Sequence, residues 1–165
     1  MHSKMIRTAI LGTSLALTLA NGAVADTMVN VRLWDKGADS ATPDEAHPMG
    51  MGAKGANMSM AMLGVKADKS IVAAGTVTFV VSNASKDIVH EMILSPVPAD
   101  GTPLPYLSAD FKVNEDAAGH LGEVSELAPG KDGKLTVDLK PGKYILFCNI
   151  PAHFMNGMWT EITVK

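Results

Sequence analysis

Residues 144–158 read YILFCNIPAHFMNGM. They hold the only cysteine of the chain, Cys148, with His153 five residues on and Met158 five beyond that. An apolar run leads into the cysteine, and a second strand-like run, WTEITV from Trp159, follows the methionine, so the three side chains sit on one loop between two strands. Thiolate, imidazole and thioether are soft to borderline donors, and together they suit copper better than any other common metal. A mononuclear electron-transfer copper site requires a second imidazole, giving two nitrogens and a thiolate in a plane with a distant methionine on the axis. His90, in DIVHEMIL, is the best candidate for it.

Outward from that loop the chain reads as short strands. In residues 27–34, Val29, Val31 and Leu33 alternate with Asn30 and Arg32, the period of a half-buried strand. Met58, Met60 and Met62 alternate with Ser59 and Ala61, which predicts a second strand to about Val65 with the methionines on a buried face. A short strand is expected at 70–73. TVTFVVS, from Thr76, is β-branched and apolar almost throughout and predicts a strand buried on both faces. Further strands are expected at 88–94, 123–127, 135–139, 144–148 and 159–164, with turns at Pro129-Gly130 and Pro141-Gly142. Four prolines between Pro96 and Pro105 exclude regular structure there, and 111–119 predicts a short helical turn. Seven to eight short strands without a long amphipathic helix make an all-β sandwich. If the strands carrying His90 and Cys148 pair, the two side chains meet at one end of it.

The N-terminus reads as an address. Lys4 and Arg7 precede an apolar run to Ala20, and Ala23-Val24-Ala25 is a small-x-small cleavage site. The run is short for a bilayer span, so a secretory signal at 1–25, cleaved near Ala25, is expected in preference to an uncleaved anchor, with no stable membrane insertion afterwards. Cleavage leaves 12 basic against 17 acidic side chains, net −5, with no basic block suited to nucleic acid. About 140 residues make one domain, divided as a strand and Gly/Met-rich loop at 26–57 and a core at 58–165. The expected location is the periplasm, as a monomer. A lone cysteine in an exported chain has no partner for a disulfide; with His153 and Met158 beside it, metal ligation explains it better than an inert buried thiol.

Residues from about Met60 to Lys165 resemble the cupredoxins, or type 1 copper proteins. The resemblance rests on GTVTFVVSN, VHE, ELAPG and LKPGKYILFCNIPAHFMNGMWTEITVK. The spacing C-x4-H-x4-M is similar to the rusticyanin and auracyanin type within that family. The resemblance implies a Greek-key sandwich, one type 1 copper, the ligands His90, Cys148 and His153 with Met158 axial, and one-electron transfer rather than catalysis. It also implies that the outer edge of His153 is exposed as an electron port. Pro151, Ala152, Phe154 and Met155 would surround it with an apolar patch where redox protein partners dock. Met155 competes with Met158 for the axis but is expected to point outward. Asn83 and Asn149 are expected to brace the ligand loops. Glu91 departs from the Asn or small polar residue of several members, so neither potential nor colour is carried over.

Residues 35–57, rich in Gly, Ala and Pro, predict a long mobile loop. Within it His47, Met49 and Met51 form a candidate second site for Cu(I), because thioethers prefer the softer ion. That points to an alternative role in periplasmic copper binding or tolerance. An enzyme is the weaker reading: His47 and His120 form no further histidine cluster, a Cys148–His153 nucleophile pair leaves His90 and Met158 unexplained, and the thioether disfavours zinc. His120 reads as a surface histidine.

Overall fold

The protein is described from a computed structural model covering residues 26–165. The expected signal segment at 1–25 lies outside the described residues. Alternating burial builds the first sheet. In β1 (Thr27–Asp35), Val29, Val31 and Leu33 face inward while Asn30 and Arg32 face solvent. β2 (Leu63–Ala67) runs antiparallel to β1 and β4 (Gly75–Asn83) parallel to it, and β9 (Asp132–Leu139) closes the order β2-β1-β4-β9. The second sheet has the order β3-β11-β10-β5-β8. Its strands are β3 (Ile71–Val72), β5 (His90–Pro96), β8 (Gly122–Leu127), β10 (Gly142–Phe147) and β11 (Trp159–Val164). A small hairpin, β6 (Tyr106–Leu107) with β7 (Lys112–Val113), covers part of its outer face. Eight of the eleven described strands exceed two residues, which matches the expected all-β sandwich of seven to eight strands.

The main core lies between the sheets. Val29, Leu33, Phe79 and Val81 from one meet Met92, Leu94, Leu146 and Ile162 from the other, and Cys148 and Met158 belong to the same cluster. A second cluster lies on the far face of the second sheet, where Ile93, Ile145 and Phe147 pack against Met51, Leu104, Val113 and Phe154. β10 is therefore buried on both sides, with Tyr144, Leu146 and Cys148 turned to the main core and Ile145 and Phe147 to the second. Burying large apolar side chains of this kind contributes roughly 1.5–3 kcal/mol each, so the strand that delivers the cysteine is among the most firmly held in the fold.

Two expectations are corrected. β4 is buried on one face only: Val77, Phe79 and Val81 are enclosed, while Thr76, Thr78 and Val80 stand half-exposed on the uncovered side of the first sheet, where Thr78 and Thr136 hydroxyls hydrogen-bond across β4 and β9 at 2.9 Å. The methionine alternation at 58–62 is not a strand. Met58–Met60 is a 3-10 turn capped by the Asn57 side chain, β2 begins only at Leu63, and Met58, Met60 and Met62 are 41–66% exposed. The short helical turn expected at 111–119 is present as a single turn after β7, in which Ala118 N–H donates to Asn114 O at 2.9 Å, and it does not extend into a helix.

Residues 36–62 are also better tethered than a mobile loop. Asn156 Nδ2 donates to Ser40 O and Thr42 O at 3.2 and 2.6 Å, and the Trp159 indole donates to Met49 O at 2.7 Å. Met51 is enclosed in the second cluster against Phe154.

Candidate metal centre

β5 and β10 are antiparallel neighbours, with Phe147 opposite Ile93. Continuing that register past the strand ends brings Cys148 to the start of β5, where the Glu91 N–H points at Cys148 Sγ at 3.5 Å. β10 and β11 pair with Phe147 opposite Trp159, and Cys148 N–H donates to Met158 O at 3.1 Å. The nine residues between fold into consecutive turns. His153 N–H donates to Ile150 O, Met158 N–H to His153 O, and Ala152 N–H to Phe111 O, all at 2.9–3.0 Å. Ala152 adopts φ 69°, a left-handed conformation that alanine avoids, and turns the chain back so that His153 faces inward.

The outcome is a convergence of three side chains. His90 Nδ1 and His153 Nδ1 lie 3.2 Å apart, and Cys148 Sγ is 3.2 Å from His153 Nδ1. One ligand-type atom from each of the three lies within 4.8 Å of the others. The imidazoles meet edge to face, centroids 5.0 Å apart. Met158, fully enclosed, packs in the core cluster that contains Cys148; Met155 does not.

Burial governs the protonation of this trio. Desolvation pushes the Cys148 thiol up to about 12, and the backbone N–H groups of Glu91 and Ile150 only partly offset it. Desolvation, with the neighbouring His90, takes His153 down to about 4. His90 is lowered too: burial outweighs Asp35, which acts to raise it. Without metal the pocket holds a neutral thiol and two neutral imidazoles. A cation held here would have to displace the thiol proton but no proton from a charged imidazole, so binding would release about one proton.

A family model for copper binding proteins of the plastocyanin/azurin family matches residues 51–165. The chain belongs to that family. Its fold is similar to two solved rusticyanins. Rusticyanin from Thiobacillus ferrooxidans shares 16% identity over 86% of this chain and 79% of that one, TM-score 0.52. Reduced rusticyanin shares 18% over 84% and 78%, TM-score 0.51. Auracyanin from Roseiflexus castenholzii shares 24% identity over 60% of this chain and 86% of its own, TM-score 0.46. No curated protein matches the sequence.

In this plastocyanin/azurin family member the supporting residues include some that the sequence indicates and one that it does not. Asn83 Nδ2 donates to Ile88 O and Leu127 O at 2.9 and 2.8 Å while its oxygen accepts from Ser85 N–H, which holds the turn before His90. Asn149 accepts from Val113 N–H at 2.7 Å and donates to Val113 O and Glu115 Oε1 at 3.0 and 2.7 Å. Both asparagines brace as expected. Glu91 is buried, and its Oε1 accepts from Asn149 N–H at 3.1 Å. Desolvation first, then the charges of Glu115 and Glu123, push its carboxyl up to about 7. Asp35, at the end of β1, was not indicated by the sequence: its Oδ2 lies 3.0 Å from His90 Nε2 although 55 positions separate them. A second histidine to be oriented was the only available hint, since a ligand imidazole commonly gives its other nitrogen to a carboxylate.

The exposed port at His153 is a correction. His153 is 1% exposed, and Ala152, Phe154 and Met155 are buried as well. Met155 does not point outward; its carbonyl accepts from Met49 N–H at 2.6 Å. The segment at 36–62 lies over the ligand loop and encloses what would otherwise be a solvent-facing edge. Of residues 149–158 only Pro151 is exposed. The proposed second trio does not assemble as expected either. Met51 faces Phe154 in the second cluster, whereas His47 and Met49 line an open pocket of about 780 Å³ together with Met60 and Met62. His120 is a partly exposed histidine 3.9 Å from Glu123, consistent with a surface position.

Proposed function

We propose that this chain is an exported, mononuclear type 1 copper protein that carries single electrons in the periplasm, with His90, Cys148 and His153 as the strong ligands and Met158 on the axis. The observation that carries the reading is the buried convergence of one thiol and two imidazoles that are neutral without metal. The donor chemistry fits copper: two imidazoles, a thiol that becomes a thiolate on binding, and a thioether in the same core cluster. Bound copper would supply the Cu(I)/Cu(II) couple. The residues do the rest. Cys148 would bind such an ion as the thiolate, having given up its proton. Strand ends and the hydrogen-bonded turns of 149–158 hold the donors in place, so little moves when the charge changes. Enclosure of all three keeps out water and leaves no open face for a substrate, which favours a carrier over an enzyme. Redox partners would meet the ligand loop around Pro151.

The test is the visible spectrum of the copper-loaded protein. An intense thiolate-to-copper band that Cys148→Ser abolishes is expected; a colourless parent, or a variant that keeps the band, would overturn the assignment.

A second reading, copper handling, has an observation of its own: the pocket that gathers His47, Met49, Met60 and Met62. Soft thioethers left exposed by the fold suit Cu(I). Titrating Cu(I) into protein already loaded at the first site distinguishes the roles. A further site lost in a Met60→Leu, Met62→Leu double variant supports handling, and no further site supports the carrier alone.

A further inference from the structure

The end of β1 is joined to the start of β5 by one buried contact. The Asp35 side chain is 5% exposed and that of His90 fully enclosed, and Asp35 Oδ2 lies 3.0 Å from His90 Nε2. Asp35 Oδ1 accepts from Gly37 N–H at 2.8 Å. The Ser85 hydroxyl, whose oxygen accepts from Asp87 and Ile88 N–H at 3.1 and 2.8 Å, has its proton left to donate to Asp35. The carboxylate is thus oriented by donors other than the histidine. A carboxylate accepts and cannot donate, so the proton of a neutral His90 belongs on Nε2, which leaves Nδ1 as a lone pair. Nδ1 is the atom that faces His153 Nδ1 at 3.2 Å, and that nitrogen in turn lies 3.2 Å from Cys148 Sγ. The two residues also belong to different sheets, so the contact holds the metal end of the sandwich together where neither sheet's ladder reaches.

We propose that Asp35 is the positioning residue of the centre: it selects the His90 tautomer that presents Nδ1 to the metal and lowers the reduction potential by placing a carboxylate behind that ligand. This rests on the copper reading above. A negative charge held against a ligand imidazole favours the more positive oxidation state, and the low dielectric of a buried contact strengthens the effect. Asp35→Asn keeps an acceptor in place and removes the charge; Asp35→Ala removes both.

The experiment measures three quantities. In the metal-free parent, nitrogen NMR shifts of His90 should show the proton on Nε2; a proton on Nδ1 would overturn the tautomer selection, and neither outcome depends on copper. In copper-loaded protein, Asp35→Asn should retain the visible band and raise the potential, a tenfold change in relative preference for the two states reading as about 59 mV. Asp35→Ala should also bind copper about 10–100-fold more weakly. Folded Asp35→Asn with the parent's potential would overturn the tuning role. Should Asp35→Ala not fold, the Asn variant and the parent NMR decide. A parent without a visible band sinks the copper reading itself, a result distinct from a coloured parent whose potential ignores residue 35.

Discussion

Met49 N–H donates to Met155 O at 2.6 Å, and this contact, between residues 106 positions apart, puts the N-terminal segment on top of the metal loop. The Trp159 indole holds the other side of the same residue through Met49 O at 2.7 Å. Both bonds tether the segment that covers the buried His153. Trp159→Phe keeps the ring and deletes the second bond. We expect it to cost about 0.5–1.5 kcal/mol in thermal unfolding and to speed amide hydrogen exchange across residues 42–62. Unchanged exchange there would mean that the segment is held by other contacts.

Met158 lies in the core cluster with Cys148 and is fully buried. Met158→Leu conserves volume, and volume-conserving swaps of this kind usually cost less than about 1.5 kcal/mol. Copper should still bind, and the potential should rise because the weak axial donor has gone. Voltammetry of the two proteins checks this; equal potentials would remove Met158 from the axis.

Asn149 follows the cysteine and carries three side-chain hydrogen bonds to Val113 and Glu115. Asn149→Ala orphans the buried Val113 N–H, at a cost of about 1–3 kcal/mol. Denaturant unfolding of the metal-free variant should show this loss. Copper dissociation from the loaded variant should also be faster, because the loop start is no longer pinned to β7.

Glu91 and His153 give the metal-free protein opposite pH dependences. The Glu91 carboxyl is raised in the fold to about 7 from 4.5, chiefly by burial, so the folded chain keeps a proton that the unfolded chain loses. The penalty is absent below 4.5, grows as pH rises, and is complete above 7. His153 is lowered to about 4 from 6.5, so its penalty is absent above 6.5 and grows as pH falls toward 4. Burial lowers His90 as well, so it acts in the same sense as His153 and both imidazoles oppose the carboxyl as pH rises. Glu91→Gln, which retains an acceptor for Asn149 N–H and has no proton to lose, should therefore gain melting temperature relative to the metal-free parent as pH rises from 4.5 to 7. A constant difference between the two proteins across that interval would place the parent's pH dependence elsewhere.

The metal loop was legible because its information is local. A strand, a cysteine, a turn with His153 and a methionine before the next strand occupy one stretch of chain, and donor chemistry alone narrows the ion. His90 was found by what the loop lacked. The methionines at 58–62 misled because alternation is only a necessary sign of a strand. Met62 lies just before β2 begins at Leu63, and the preceding residues turn about the Asn57 cap instead. The exposure of His153 was misjudged for a related reason. Apolar residues around a histidine are read equally well as a docking patch and as the underside of a covering segment.

By itself the sequence determined the all-strand architecture, the Cys148–His153–Met158 loop and the asparagines that brace it, since strand period and donor spacing are properties of neighbouring residues. Only the tertiary structure decided that the segment at 36–62 covers His153, that Met51 leaves the methionine pocket while Met60 and Met62 enter it, and that Asp35 stands behind His90. These are contacts between distant parts of the chain, set by how two sheets stack and where a loop is pinned, and no periodicity along the chain records them.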